Sequence, residues 1–203
     1  MATRNILKDG EKGLLKKSRS VTDFNKRLHV LIDDMRETLI EANGLGLAAP
    51  QVGILRRVVL IVDTEKNIDS TDGHDEELTD ELTEEQFREW YNEKIIELVN
   101  PEIIGREGEQ TGSEGCLSVP GVYGIVTRPE NVLFRAQDRY GNIFEQEVSE
   151  LAARAVCHEI DHLDGILFTT IIERFLTEEE LAELAAQRDR EQTSGYNTDE
   201  AEK

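Results

Sequence analysis

Two cysteines in 203 residues make no disulfide framework, and so sparse a use of thiols fits a reducing compartment. No apolar run approaches the ~20 residues that cross a bilayer. The opening MATRNILKDGEKG carries no apolar segment of the export kind, so the expectation is a cytoplasmic protein without membrane contact. Basic excess is missing too: 23 Lys and Arg stand against 43 Asp and Glu, a formal charge of -20. The acid is local. Asp63 to Glu97 holds 14 acids and 3 bases, Thr177 to Lys203 holds 9 acids and 3 bases, and the remainder is nearly neutral with 20 acids and 17 bases. Acidic segments repel phosphate, so direct nucleic-acid binding is not expected of either, and both read as solvated surface. At 38% hydrophobic, the chain is long enough for one good core.

Against that background stands HEIDH, with His158 and His162 four residues apart and Glu159 between them. On an α-helix this spacing puts both imidazoles on one face, one turn apart, where they can grip one metal ion while Glu159 sits beside a metal-bound water. The implied class is a metal-dependent hydrolase. Catalytic sites of this kind use three protein ligands and leave a position for water, which calls for one more donor in a constrained loop. Cys116 in EGCLSVPG is the candidate: it lies between two glycine-bearing turns, Gly112 to Gly115 and Gly121, with Pro120 stiffening the exit. A third cluster, GLGLAAPQVG from Gly44 to Gly53, contains no side chain suited to act as base or nucleophile. Its small residues let backbone approach a substrate closely, and Gln51 can donate to a developing oxyanion.

GLGLAAPQVG, EGCLSVP and HEIDHLDG, in this order, resemble the three signature motifs of the peptide deformylases, and the likeness runs from about Ile6 to Arg174. The resemblance implies an α+β fold in which antiparallel or mixed β-sheets wrap a central metal-binding helix. It implies removal of the formyl group from the N-terminal formyl-methionine of newly made proteins, with formate released. Cys116, His158 and His162 would be the metal ligands. Glu159 would act as general base toward the metal-bound water and then as acid toward the departing amine. Gln51 and the backbone N–H of Leu117 would stabilise the oxyanion, and Gly46 would offer its backbone to the substrate peptide. Leu45, Leu151, Ala155 and the ring of His158 are candidates for the methionine pocket. A thiolate with two imidazoles tolerates several metals. The family commonly uses iron(II), so one Fe2+ per chain is expected, with Zn2+, Ni2+ or Co2+ able to substitute. The partners would be N-formyl-methionyl nascent polypeptides; an acidic tail gives no electrostatic reason for docking on ribosomal RNA.

Apolar residues at three- and four-residue steps predict a helix over Val21 to Ala42, ended by Asn43-Gly44. Arg57 to Val62, Glu97 to Ile104 with Pro101 interrupting, Asn131 to Gln137 and Ile143 to Val148 read as strands, the last two as a hairpin. Leu151 to Leu163 is the metal-binding helix, with Ala152, Ala153 and Ala155 marking close packing. One catalytic domain is expected over 1–176, with the acidic insertion at about 63–97, a capped helix over 177–190 and a disordered tail over 191–203. Within the insertion, Thr83 to Tyr91 suits a short helix with Phe87, Trp90 and Tyr91 laid on the surface; Asp69 to Asp80 misses calcium-loop spacing and reads as a polar loop. Cys157 reads as a small buried residue and His29 as an ordinary surface or groove residue, Asp161 as a surface carboxylate or one holding a ligand histidine, and Arg154 as a residue of the pocket rim.

Two other functions compete. A zinc peptidase could use the same helix with Glu180 or Glu183 downstream, but that leaves EGCLSVP unexplained, and Phe168 stands where another branch needs histidine. A metal-stabilised binding module would close all four metal positions, and no fourth ligand is evident.

Overall fold

The computed structural model describes residues 2–63 and 83–183. Helix α1 spans Lys26–Glu41. It begins later than the apolar periodicity implies because Asn25 takes the N-cap, its side chain accepting from the backbone N–H of Arg27 and Leu28 at 2.9 and 3.4 Å. Val21 is engaged elsewhere: its N–H donates to Asn100 Oδ1 at 2.8 Å, and its carbonyl accepts from Asn100 Nδ2 at 2.9 Å. After the helix, Asn43 enters the left-handed region at φ 47 and turns the chain.

Strand β1 (Gly46–Ala48), a 3-10 turn (Ala49–Val52) and β2 (Val58–Val62) follow. β2 is apolar on both faces for a reason. Val58, Leu60 and Val62 pack in the cluster with Ile32, Met35 and Leu39 of α1, while Val59 and Ile61 pack in the cluster formed later by α3. Helix α2 (Glu84–Lys94) lies in the acidic insertion. Thr83 and Gln86 cap it reciprocally, Thr83 N–H donating to Gln86 Oε1 at 2.9 Å and Gln86 N–H to Thr83 Oγ1 at 3.2 Å. Its aromatics are not laid on the surface: Tyr91 is buried, and Phe87 and Trp90 pack against the α1 cluster.

α2 passes directly into β3 (Ile95–Glu107), whose register shifts between Val99 and Glu102. There Pro101 has no N–H to give and Asn100 adopts φ 52. β4 (Gln110–Cys116), β5 (Val119–Arg128), β6 (Asn131–Gln137) and β7 (Ile143–Ser149) precede α3 (Glu150–Leu163), and β8 (Arg174–Phe175) comes last. The order β1-β2-β3-β6-β7 makes one sheet and β4-β5-β8 another, every pair antiparallel. α3 touches β1, β2, β6 and β7 of the first sheet and β5 of the second. Ala152 and Ala153, both buried, share an apolar cluster with Val132 and Phe134 of β6, which α3 touches. The fold is α+β, with sheets around a central helix.

From 178 the chain is helical to the end of the described residues at 183, with Thr177 and Glu180 exchanging the capping-box bonds. The polar loop Asp69 to Asp80 and everything expected after 183 fall outside the described residues. No described helix is long and apolar enough to cross a membrane.

Candidate active site

The three elements expected to carry chemistry meet at one cleft of about 540 Å³. The helical spacing of α3 sets the rings of His158 and His162 with centroids 5.0 Å apart. Cys116, at the end of β4, brings Sγ to 3.2 Å from His162 Nε2. Donor atoms of Cys116, His158 and His162 all lie within 4.8 Å of one another, and among the described residues no other Cys, His, Asp or Glu group is so arranged for a metal.

His158 Nδ1 meets Glu114 Oε2 at 3.0 Å, which fixes that nitrogen as the N–H and leaves Nε2 for the cluster. Asp161, the carboxylate singled out in the sequence for such a part, instead accepts from Arg128 Nη1 at 2.7 Å. Glu114 went unrecognised; the available signal was its position two residues before Cys116, hence on the same face of a strand. Arg128 grips it through Nε at 2.9 Å and Nη2 at 3.1 Å, and Arg154 Nη1 adds a third bond at 2.9 Å. Burial alone would raise the carboxyl of Glu114, but the bonds from His158 and Arg128 outweigh it and hold it down at about 2. Arg154, expected at the rim, is therefore buried; it also donates to the carbonyl of Val126 at 3.0 Å.

Burial works against charge on His158, yet hydrogen bonding with Cys116 and Glu114 raises its pKa well above the ordinary value, while burial and the His158 charge lower that of His162. A thiol and two imidazoles are the donor types that hold a divalent ion as thiolate and neutral imidazoles. Donor types and mutual distances fit such an ion.

Glu159 is buried, its Oε2 without a hydrogen-bond partner, and burial pushes its carboxyl up to about 7. Across from it lies Gly46, where a Cβ would come within 2.5 Å of Glu159 Oε1. Gln51, in the 3-10 turn, is locked through Oε1, which accepts from Ala48 N–H at 2.7 Å; its Nε2 lies 3.3 Å from Ser118 Oγ and 3.6 Å from Cys116 Sγ. Leu117 occupies the turn between β4 and β5, and its carbonyl accepts from Lys8 Nζ at 2.8 Å. Leu45, Leu151 and Ala155 line the same cleft, as do Lys8, Asn43 and Tyr123, which the sequence did not single out. Glu180 is engaged elsewhere, with Arg174 and Thr177, and Cys157 is buried in the apolar cluster under α3.

The profile of the polypeptide deformylase family matches residues 3–177. A peptide deformylase of Caldicellulosiruptor bescii is 47% identical over 190 residues, 94% of this chain and 98% of the relative. Peptide deformylase 1 of Bacillus subtilis is 42% identical, covering 91% of this chain and 99% of its own. Among solved structures, the peptide deformylase of Thermotoga maritima superposes with TM-score 0.69 at 28% identity, covering 85% of this chain and 99% of that one. A class I type b peptide deformylase from Acinetobacter baumannii, described with Met-Ala-Ser bound, gives TM-score 0.68 at 31% identity, with 84% and 99% covered. Sequence and fold agree over nearly the whole length of the relatives, and the residues gathered at the cleft come from the very stretches that are matched: the chain belongs to the polypeptide deformylase family of hydrolases.

Proposed function

We propose that the chain removes the N-formyl group from the N-terminal formyl-methionine of newly made polypeptides and releases formate, using a divalent cation held by Cys116, His158 and His162. One observation carries the reading: the thiol and both imidazoles converge beside a buried carboxylate, Glu159, that has an unsatisfied oxygen and faces a cleft. The cation would supply a Lewis acid and bring the acidity of a water toward neutral pH. The donor set suits Fe2+, with Zn2+, Ni2+ or Co2+ as substitutes.

Glu159 takes the proton of the attacking water and delivers it to the departing amine. A carboxyl raised to about 7 by burial is matched to both transfers near neutrality. Gln51 Nε2 and the Leu117 N–H donate to the formyl oxygen as charge gathers on it, each worth ~3 kcal/mol by the measure of comparable donors. Gly46 supplies backbone. It sits opposite Ile61, and the bond of 2.9 Å from Val62 N–H to the Leu45 carbonyl marks that pair as a non-bonded one, so the amide and carbonyl of Gly46 turn toward the free edge of the sheet. A substrate main chain can pair there as an added strand. Leu45, Leu151, Ala155 and the His158 ring give the methionine side chain an apolar wall, and a relative described with a peptide beginning in methionine supports that choice.

The test is formate release from a formyl-Met tripeptide by anaerobically purified protein, with E159Q beside it. Wild-type turnover with a loss of at least about 100-fold in E159Q, metal retained, is the expected result. Formate release by E159Q at the wild-type rate would remove Glu159 from the reaction.

A further inference from the structure

The acidic insertion reaches the cleft. Tyr91 of α2 is 3% exposed, and its hydroxyl lies 2.8 Å from Asn43 Oδ1 and 3.2 Å from the carbonyl of Gly44. Both residues line the cleft, two steps before the Gly46 edge. The other backbone groups of this segment are tied to the body: Gly44 N–H donates to the Leu39 carbonyl at 3.2 Å, and the Leu45 carbonyl accepts from Val62. The Gly44 carbonyl and the Asn43 side chain have Tyr91. The hydroxyl is also aimed. Phe87 and Trp90 hold the ring at centroid distances of 5.0 and 5.3 Å, and α2 is fastened to α1 by the Arg88–Glu37 pair and by Arg36 Nη1 on the Asn92 carbonyl at 3.0 Å. Burial pushes the phenol up to about 12, so it stays a donor at any ordinary pH. Asn43 meanwhile holds φ 47, the left-handed turn that ends α1 and leads into the cleft edge.

We propose that α2 is a strut for the substrate-binding edge of the cleft, with Tyr91 the positioning residue that sets Asn43 and Gly44 and thereby the placement of Gly46 toward a substrate peptide. The inference rests on the deformylase reading above. It assigns the insertion a part in substrate binding, where the sequence suggested surface decoration.

Y91F removes the hydroxyl and keeps the ring. With a formyl-Met tripeptide, KM is expected to rise about three- to tenfold, the size of one net hydrogen bond, while kcat stays within about twofold and metal content is unchanged. N43G, which suits the left-handed backbone, removes one of the hydroxyl's two acceptors and leaves the Gly44 carbonyl. In a double-mutant cycle, the effects of Y91F and N43G on KM should be less than additive, the remainder belonging to the Gly44 carbonyl. Unchanged KM in Y91F, an equal fall in kcat, or additive effects of the two substitutions would each overturn the strut. No turnover by the wild type would overturn the functional reading and this inference with it, whereas normal turnover with an indifferent Y91F would overturn the inference alone.

Discussion

Gly46 shows how closely the site is built at the level of single atoms. A methyl group there would occupy the space of the Glu159 carboxylate, since the added carbon would sit 2.5 Å from Oε1 and 2.7 Å from Cγ. G46A is therefore expected to push the carboxylate aside and lower kcat/KM by about 100-fold, the scale of a 1 Å misplacement, without loss of metal. Steady-state kinetics beside metal analysis checks this. Glu114 is the other residue of consequence, since it orients His158 while neutralising Arg128 and Arg154. E114Q should weaken metal retention about 10- to 100-fold in a chelator competition. Its thermal midpoint should fall as well, because buried Arg154 loses its counter-charge and Arg128 is left with Asp161 alone.

Among the elements, α3 depends on smallness where it meets the sheet. Ala153 is fully buried in the apolar cluster that also holds Val132 and Phe134, so A153L should cost about 1–3 kcal/mol by overpacking, read as a lower midpoint in urea. The alanines and the histidine spacing were legible because a helix writes its faces into local sequence. β2, β6 and β7 were legible for the same reason, through continuous or alternating apolar patterns. β4 and β5 were not. Their glycines read as turns, yet Gly115 lies within a strand and serves close approach, its Cβ position being 2.7 Å from the Tyr123 ring. Nothing local distinguishes a glycine that bends the chain from one that admits a ring from the neighbouring strand. The part played by Glu114 was hidden likewise, because it exists only once β4 faces α3. The start of α1 was misplaced by five residues, for a polar cap at Asn25 outweighs apolar spacing further upstream.

At the scale of the whole molecule, Glu97 joins parts that are far apart in sequence. It accepts from Arg36 of α1 at 2.7 Å and from Arg139 of the β6-β7 turn through Nε at 2.8 Å, and Arg139 reaches on to Asp33 at 2.8 Å. Burial would raise the Glu97 carboxyl, but the bonds from Arg139 and Arg36 prevail and lower it. A lowered folded value contributes stability that is present above the unfolded carboxylate value of about 4.3 and is lost as pH falls below it toward the folded value. E97Q should accordingly be less stable than wild type at pH 7, with the gap narrowing as pH drops from about 5 to 3. Thermal midpoints across that range give the measurement, and a constant gap would refute the linkage.

β2 has a consequence of another sort. With Val58, Leu60 and Val62 turned to α1, and Val59 and Ile61 turned to α3, β2 is the middle of a partition between two apolar compartments that Leu47 and Ala48 of β1 and Leu98 and Val99 of β3 continue on either side, and neither face of it opens to water. A change of volume under α1 can be relieved only by moving that partition, and the catalytic helix rests on its other side. The dimensions of the site are thus inherited in part from packing under α1, where the Leu117 side chain also rests, and the tolerances of hydrolysis extend to residues such as Met35 that do not line the cleft.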